Sequence, residues 1–266
     1  MLELLALPPG AGAARAPLMF VHGAYVGAWC WAEHFLPWFA ARGFPVYALS
    51  LRGHGQSAGR ERLDSFGLAE FADDLEAALE GLERSPVLIG HSMGALVVQK
   101  YLERGAGREA RRAAAVAFLC PVPPFGVLPS TFTLAWTRPA LFAEINALAG
   151  GHRVSRGALH EALFAGPVDN ERVERYYARM QPESRRAILD MTWWGLPQAW
   201  RLDLPPALVL GAERDALIAA SVARATAQLL GAQYRELPGM GHAVMLDPGW
   251  RTAAEALEGW LAEQGL

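Results

Sequence analysis

The stretch VLIGHSMGALVVQKYL, residues 87–102, places a short apolar run directly before a serine that has a glycine two positions away on either side. The apolar run suits a buried strand, and the residues after the second glycine suit a helix. The central residues, Gly90 to Gly94, have the G-x-S-x-G form of a sharp strand-to-helix turn that exposes its serine. Glycines at both ends keep side chains from colliding in such a turn. The pattern predicts a nucleophile at Ser92, and a plain structural turn is the alternative.

Short apolar runs recur along the chain, and each one ends in a loop before the next helical segment. Besides the run before Ser92, they lie at residues 18–21, 46–51, 113–119 and 207–210. Runs that are apolar at every position are typical of parallel strands buried on both faces. Segments such as 68–82 and 250–261 repeat apolar residues at three- and four-residue steps, which predicts amphipathic helices. The alternation predicts an α/β fold with a doubly wound, mostly parallel sheet flanked by helices.

The alternation stops between residues 121 and 203. This passage holds four of the nine tryptophans and mixed-charge helical segments such as NERVERYYARM, and it is far longer than a plain loop. We predict that residues 121–203 form a helical cap inserted into a core made of residues 1–120 and 204–266. Additional helices of the main layer are the alternative.

An Ala/Gly/Pro-rich stretch near the N-terminus has neither a strand pattern nor a helix pattern, and we expect it to be poorly ordered.

Composition and charge narrow the class of protein. The chain has 266 residues, a hydrophobic fraction of 52% and a formal net charge of −3, which fits a compact globular protein. Its basic residues are nearly all arginines spread along the chain, so we predict no nucleic-acid partner. Its apolar runs fall well short of the ~20 residues of a membrane span, and we expect neither a span nor a secretory signal.

The spacing of cysteines and histidines indicates whether the chain could bind a metal and whether it belongs in a reducing compartment. The two cysteines, Cys30 and Cys120, are far apart in the sequence and form no C-x-x-C pair, so we expect a reduced, cytoplasmic protein. His152, His160 and Glu161 occur together but lack H-E-x-x-H spacing. We therefore predict neither a metal site nor a cofactor.

A serine nucleophile needs a base, and the base needs an acid that orients it. His242 lies in the Gly-rich loop of YRELPGMGHAVMLDP, between a last strand and the closing helix, and such a loop reaches the carboxyl edge of the sheet. The other six histidines lie in turns, helices or the cap, where packing is the more usual role. The acid belongs on the loop after the preceding strand, which offers Glu213 and Asp215. Asp215 is favoured because it lies further out on that loop, whereas Asp203 precedes its strand.

These residues together resemble the α/β-hydrolase superfamily over nearly the whole chain, including the chain order Ser92, Asp215, His242. The resemblance implies an oxyanion hole formed by two backbone N–H groups, those of Met93 and, in VHGAYVG, of Ala24. Two such donors stabilise the charge that develops on a tetrahedral intermediate.

The sequence differs from related branches of this superfamily at several positions, and some of these differences disfavour particular reactions. Ser50 stands where the family often has an aspartate, in a mainly structural loop, so the catalytic candidates are unaffected. The stretch HGAYVGAWCW is similar to one in the plant methylesterase and hydroxynitrile-lyase branch, whose lyases use a cap lysine to hold the cyano group. No lysine occurs in residues 121–203, which disfavours lyase chemistry. Ser92 also disfavours the dehalogenases and epoxide hydrolases of this fold, because they attack with an aspartate.

The sequence thus predicts a serine hydrolase that cleaves carboxylic esters of a partly apolar small molecule through an acyl-enzyme. Two other classes stay open: a cofactor-free oxidoreductase of the same fold, such as a perhydrolase-type haloperoxidase or a dioxygenase, and a non-catalytic ligand-binding protein. Aromatic residues of the cap are candidates to line an apolar pocket, and the alternative is that they pack the cap's own core. They are Phe132, Trp136, Trp193 and Trp194.

Overall fold

A seven-stranded sheet lies at the centre of the computed structural model, which describes residues 1–10, 15–105 and 113–266. Its strands are β1 (Glu3–Leu7), β2 (Leu18–Val21), β3 (Val46–Ser50), β4 (Val87–His91), β5 (Ala115–Leu119), β6 (Ala207–Ala212) and β7 (Gln233–Leu237). Their order across the sheet is β1-β3-β2-β4-β5-β6-β7. β1 pairs antiparallel with β3, and every other described pair is parallel. The predicted mostly parallel sheet is confirmed.

β1 is an element that the sequence reasoning missed. It forms one edge of the sheet beside β3, and none of its residues is fully buried, as suits an edge strand with a face open to solvent. A short, half-exposed strand gives too weak a pattern to distinguish from a loop. The expectation of disorder for the Ala/Gly/Pro-rich stretch after β1 falls partly on residues 11–14, which lie outside the described residues. Gly10, just before them, donates its N–H to Ala40 O at 2.7 Å.

Helices cover both faces of the sheet. One layer consists of α1 (Trp29–Ala32), α2 (Phe35–Ala40) and α11 (Trp250–Glu263), and the other of α3 (Leu68–Leu79), α4 (Met93–Gly105) and α10 (Ala220–Leu230). Alternate residues of β2 serve the two layers: Leu18 and Phe20 pack with the first, and Met19 and Val21 with the second. All four side chains are fully buried. Burial on both faces explains why this strand is apolar at every position.

The passage between β5 and β6, every residue of which is described, carries helices and no strand. We call residues 121–203 the insert. Its helices are α5 (Leu128–Thr137), α6 (Pro139–Ala149), α7 (Arg156–Leu163), α8 (Asn170–Arg179) and α9 (Arg185–Leu189), followed by a π-helical turn (Asp190–Trp194) and a 3-10 turn (Ala199–Arg201). Across the described chain, no helix combines the length and the apolar character that a membrane crossing requires.

The large aromatic side chains of the insert lie on its surface. Trp136 is 89% exposed, Trp194 84%, Phe132 73% and Trp193 60%. The alternative in which they pack the core of the cap is therefore wrong. The insert's own small core is aliphatic instead, and its buried members are Leu134, Leu141, Ala158 and Ala162.

The strand order changes direction beside β2. From β2 the chain moves to β3 on one side and then returns to β4 on the other, so β2 and β4 are neighbours whose connections leave in opposite directions. Their register places Val21 beside Gly90. A crevice forms at the carboxyl ends of strands where connections part in this way. The loops that begin with His22 and Ser92 therefore open into the same crevice.

Candidate active site

Ser92 lies in the turn between β4 and α4 with a backbone φ of 51°, in the left-handed region that residues with a side chain rarely adopt. The turn is held from both sides, because Ser92 N–H donates to Leu119 O at 3.0 Å and Ser92 O accepts from Val122 N at 3.2 Å. Strained backbone that the surrounding structure holds in place is typical of functional turns.

Gly90 and Gly94 are required by the close packing of this turn. A Cβ at Gly90 would lie 2.6 Å from Gly94 O, and a Cβ at Gly94 would lie 2.6 Å from His22 O. Carbon atoms do not approach backbone oxygens this closely, so both positions exclude a side chain. The G-x-S-x-G form is thus explained by the contact of the turn with its own helix and with the end of β2.

His242 reaches Ser92 from the loop between β7 and α11. Its Nε2 lies 3.0 Å from Ser92 Oγ, and its Nδ1 lies 2.7 Å from Asp215 Oδ2. Because a carboxylate can only accept, Nδ1 carries the proton and Nε2 can accept one from the serine hydroxyl. The structure therefore joins the three predicted side chains in one hydrogen-bonded chain, in which the His242 residue is only 4% exposed.

Asp215 follows β6, and its two oxygens accept from different partners. Oδ1 accepts two backbone N–H groups of its own loop, each at 2.8 Å, while Oδ2 accepts from His242. Glu213, the other acid considered from the sequence, is engaged elsewhere, because its Oε2 accepts from Gly239 N at 2.6 Å. The structure thus pairs Asp215, and not Glu213, with His242.

Cys120 lies at the end of β5 against Asp215. Burial raises the pKa of its thiol well above the ordinary value, and the nearby Asp215 carboxylate raises it further. The thiol is therefore protonated and donates toward Asp215. Cys120, Asp215 and His242 offer metal-ligand atoms within 4.8 Å of one another. Two of them are already joined by the Nδ1–Oδ2 hydrogen bond, so a bound ion would have to replace that bond.

His22 and His91 are buried in the turns beside the site. His22 Nδ1 donates to the carbonyl of the next residue at 2.7 Å, and its Nε2 accepts from Leu51 N at 3.0 Å. Burial, together with nearby His54, lowers the pKa of His22 to about 3. Burial and neighbouring His242 lower the pKa of His91 well below its ordinary value, and His91 Nε2 donates to His242 O at 2.9 Å. Both rings are neutral at pH 7 and support backbone, as expected of histidines in these turns.

His54 forms a buried hydrogen-bonded pair with Glu183 that the sequence reasoning missed. Its Nε2 lies 3.0 Å from Glu183 Oε2, and both side chains are fully buried. Burial is the largest single influence and opposes the charge on His54, but the charge and hydrogen bond of Glu183, together with the hydrogen bond to Arg52 O, outweigh it, so the pKa of His54 is raised. The same Glu183 oxygen accepts from Tyr25 N at 3.2 Å, next to Ala24. The partners are 129 positions apart in the chain, and no local pattern links them.

Ala24 and Met93, whose N–H groups are the predicted oxyanion donors, follow the neighbouring strands β2 and β4. Among the described residues, neither N–H donates a hydrogen bond. Tyr25, directly after Ala24, has a φ of 67°, and its carbonyl accepts from Gln181 N of the insert at 3.0 Å. Two unengaged N–H groups beside a nucleophile suit the stabilisation of negative charge.

A cavity of about 260 Å³ opens onto Ser92 and His242. Its wall is mainly apolar and comes largely from the insert, with contributions from Val127, Leu134, Phe142, Ile145, Ile188 and Met191. The four exposed aromatics of the insert are not among its lining residues, so the expectation that they line the pocket is wrong as well. A second cavity of about 450 Å³ lies beside Arg153, Arg156 and Glu174, away from these side chains.

Residues 18–254 match the model of a family described as the alpha/beta hydrolase family. The monoacylglycerol lipase of Mycolicibacterium smegmatis is 26% identical over 246 residues, which cover 86% of this chain and 82% of that protein. The non-heme chloroperoxidase of Burkholderia pyrrocinia is 35% identical over 109 residues, which cover 41% of this chain and only 38% of that protein. The crystal structure of a bromoperoxidase from Bacillus anthracis has a TM-score of 0.74 at 20% identity, over 98% of this chain and 96% of that one, and shows the fold alone.

Proposed function

The chain belongs to the alpha/beta hydrolase family, and on that premise we propose that it is a serine hydrolase that cleaves carboxylic esters of a partly apolar small molecule. One observation carries the proposal: the hydrogen-bonded chain from Asp215 through His242 to Ser92 ends in a mainly apolar cavity. The similarity to a monoacylglycerol lipase supports an ester as the substrate.

The first half of the proposed reaction forms an acyl-enzyme. Ser92 Oγ attacks the ester carbonyl carbon while His242 Nε2 takes the hydroxyl proton. The carbonyl oxygen becomes negative, and the N–H groups of Ala24 and Met93 stabilise it. Asp215 keeps Nδ1 of His242 protonated and stabilises the imidazolium. His242 then gives its proton to the leaving alcohol, and the acyl group stays on Ser92.

Water completes the reaction. His242 Nε2 takes a proton from a water molecule, whose oxygen attacks the acyl carbonyl, and the same two N–H groups stabilise the second oxyanion. The bond to Ser92 Oγ breaks, and Oγ takes back its proton from His242. One ester and one water become an acid and an alcohol without any change of oxidation state, so the triad and the oxyanion hole suffice.

The first test is hydrolysis of 4-nitrophenyl esters from acetate to palmitate. We expect shorter acyl chains to be favoured, because the cavity of about 260 Å³ is smaller than the ~300–1,000 Å³ usual for ligand sites. Ser92→Ala should lower kcat by roughly 10⁶ and abolish labelling by a fluorophosphonate. Ser85→Ala, at an exposed serine, is the control and should keep full activity. Absence of wild-type turnover on every ester, or a retained kcat in Ser92→Ala, would contradict the proposal.

A second candidate function is favoured by the similarity to a non-heme chloroperoxidase. In perhydrolase chemistry, hydrogen peroxide takes the place of water, attacks the acyl group on Ser92 and releases a peracid, which then oxidises a halide ion. Both functions need Ser92 and His242, so the co-substrate distinguishes them. Halogenation that depends on acetate and peroxide and exceeds the rate of ester hydrolysis would favour this second function. Ester hydrolysis that exceeds halogenation favours the first.

A further inference from the structure

Ser130 is the third residue of α5, where this helix borders the cavity that contains Ser92. The residue is 7% exposed, and among the described residues its hydroxyl has no hydrogen-bond partner. A buried hydroxyl without a partner is unfavourable, because it has lost its hydrogen bonds to water. The residue contributes to the cavity wall, and rotation of its side chain about χ1 would turn the shielded hydroxyl toward a molecule bound there.

Three other polar side chains that the insert contributes to this cavity each donate one hydrogen bond to the backbone. Thr131 Oγ1 donates at 2.9 Å, Thr192 Oγ1 at 2.8 Å and Asn146 Nδ2 at 3.0 Å, in each case to the carbonyl oxygen four residues earlier. This is the usual way in which short polar side chains are accommodated within a helix. Of the three hydroxyls, that of Ser130 alone makes no such bond within the described structure, so its proton is unused.

The surroundings of Ser130 define the kind of group that fits. Leu134 lies about one turn further along the same helix, and Phe142 and Ile145 face the cavity from α6. No carboxylate, ammonium or guanidinium group is among the described lining residues. A charged group in this wall would lack a counter-charge, so the matching group on the ligand is neutral. Ser130 thus adds one unpaired hydroxyl donor to a mainly apolar wall, and a few polar groups of this kind fix the orientation of a ligand.

We propose that Ser130 is a specificity-determining residue that donates a hydrogen bond to an oxygen atom within the substrate. The substrate class is then an ester whose acyl or alcohol part is apolar except for one neutral oxygen function, such as a ketone, an ether or a hydroxyl. This inference rests on the proposed ester hydrolysis at Ser92 and specifies its substrate.

The test compares esters that differ in one oxygen. On the acyl side, 4-nitrophenyl hexanoate is compared with its 3-oxo, 4-oxo and 5-oxo analogues. On the alcohol side, pentyl acetate is compared with 2-ethoxyethyl acetate and 3-methoxypropyl acetate, which have chains of the same length. For each pair, the ratio of kcat/KM for the oxygenated ester to that for the plain ester is measured in the wild type and in Ser130→Ala. Comparing this ratio between the two proteins cancels the intrinsic reactivity of each ester.

We expect Ser130→Ala to lower this ratio about tenfold for the isomer whose oxygen meets Ser130, since one neutral hydrogen bond contributes about that factor. Thr131→Val is the matched control, because it removes a hydroxyl from the same wall that is already bonded within its helix. Its ratios should match those of the wild type. A decrease in the acyl series or in the alcohol series identifies the part of the substrate that carries the oxygen.

Equal ratios in the wild type and Ser130→Ala for every isomer of both series would overturn the inference. The proposed function would still stand in that case, because the plain esters would be hydrolysed. A wild type that hydrolyses none of these esters would contradict both. If Ser130→Ala does not fold, Ser130→Cys carries the same expectation, because a thiol is a weak donor.

Discussion

At the residue scale, the two oxygens of Asp215 accept hydrogen bonds from different parts of the molecule. Oδ1 is fixed by two backbone N–H groups at 2.8 Å, and Oδ2 holds His242 Nδ1 at 2.7 Å. The thiol of Cys120 lies against the same carboxylate and stays protonated, because burial and Asp215 raise its pKa. A carboxylate held by several donors has a fixed orientation, and this in turn fixes which nitrogen of His242 carries the proton.

We predict that Asp215→Asn lowers kcat for ester hydrolysis by about 10⁴. The amide oxygen takes the position that faces the two backbone N–H groups, so the amide NH₂ faces His242. The imidazole must then accept at Nδ1 and presents a protonated Nε2 to Ser92, which it cannot deprotonate. Glu213→Gln is the matched control on the same loop, and it should keep its kcat because Glu213 accepts from Gly239 N. Equal losses in the two variants would show that Asp215 has no special role.

At the element scale, the segment between α8 and α9 ties the insert to the core beside Ala24. Gln181 N donates to Tyr25 O at 3.0 Å, and Glu183 Oε2 accepts from Tyr25 N at 3.2 Å and from His54 Nε2 at 3.0 Å. The backbone of Tyr25, with its positive φ, is thus held on both sides by the insert. The position of the insert therefore affects the loop that carries one predicted oxyanion donor.

The pKa of His54 gives this contact a dependence on pH. Burial lowers that pKa, but Glu183 and the hydrogen bond to Arg52 O together raise it by more. Arg60 opposes the rise, and the ring of His22, 5.0 Å away, is neutral. A histidine whose pKa rises on folding contributes stability that is fully present below its unfolded pKa of about 6.5. That stability is lost as the pH rises through the folded pKa. The pair therefore stabilises the fold more in mild acid than in mild base.

We predict that Glu183→Gln lowers the free energy of unfolding by about 1–3 kcal/mol near about pH 5.5 and by less near about pH 9. Denaturant unfolding across this range measures the difference. Asp64→Asn is the matched control, because Asp64 also accepts from the insert, through Arg185 N at 2.9 Å, but is exposed and pairs with no histidine. Its effect should stay below about 1 kcal/mol at either pH. A Glu183→Gln effect that grows with pH would mean that His54 is not the titrating partner.

At the scale of the whole molecule, the large aromatics divide between the core and the surface of the insert. Trp31 and Trp260 are buried against the sheet, whereas Trp136 and Trp194 of the insert are 89% and 84% exposed. The buried side chains of the insert's own core are aliphatic and few. The stability of the fold therefore depends on the two layers that cover the sheet and not on the tryptophans of the insert.

We predict that Trp136→Ala and Trp194→Ala each change the free energy of unfolding by less than about 0.5 kcal/mol, because an exposed ring loses little packing. Trp260→Ala is the matched buried substitution, and it should lower that free energy by about 3–5 kcal/mol. Denaturant unfolding of the three variants beside the wild type measures both effects. A loss in Trp136→Ala as large as that in Trp260→Ala would place this ring in a packed core.

Much of the fold follows from local patterns. Strands buried on both faces are apolar along their length, so the apolar runs predict β2 to β6. Amphipathic spacing predicts the helices that cover them. The site follows in part, because Gly90 and Gly94 are demanded by the contacts of the turn at Ser92. The edge strand β1 could not be predicted in this way, because a half-exposed strand of five residues lacks a distinctive pattern.

The sequence by itself determined the alternation of strands β2 to β6 with helices and the turn that exposes Ser92, because each depends on residues close together in the chain. Only the tertiary structure decided that Asp215 and not Glu213 meets His242, that His54 pairs with Glu183, and that Ser130 is left unpaired. Those outcomes depend on contacts between loops that are remote in sequence. Such contacts are set by how the layers pack, and no periodicity or motif encodes them.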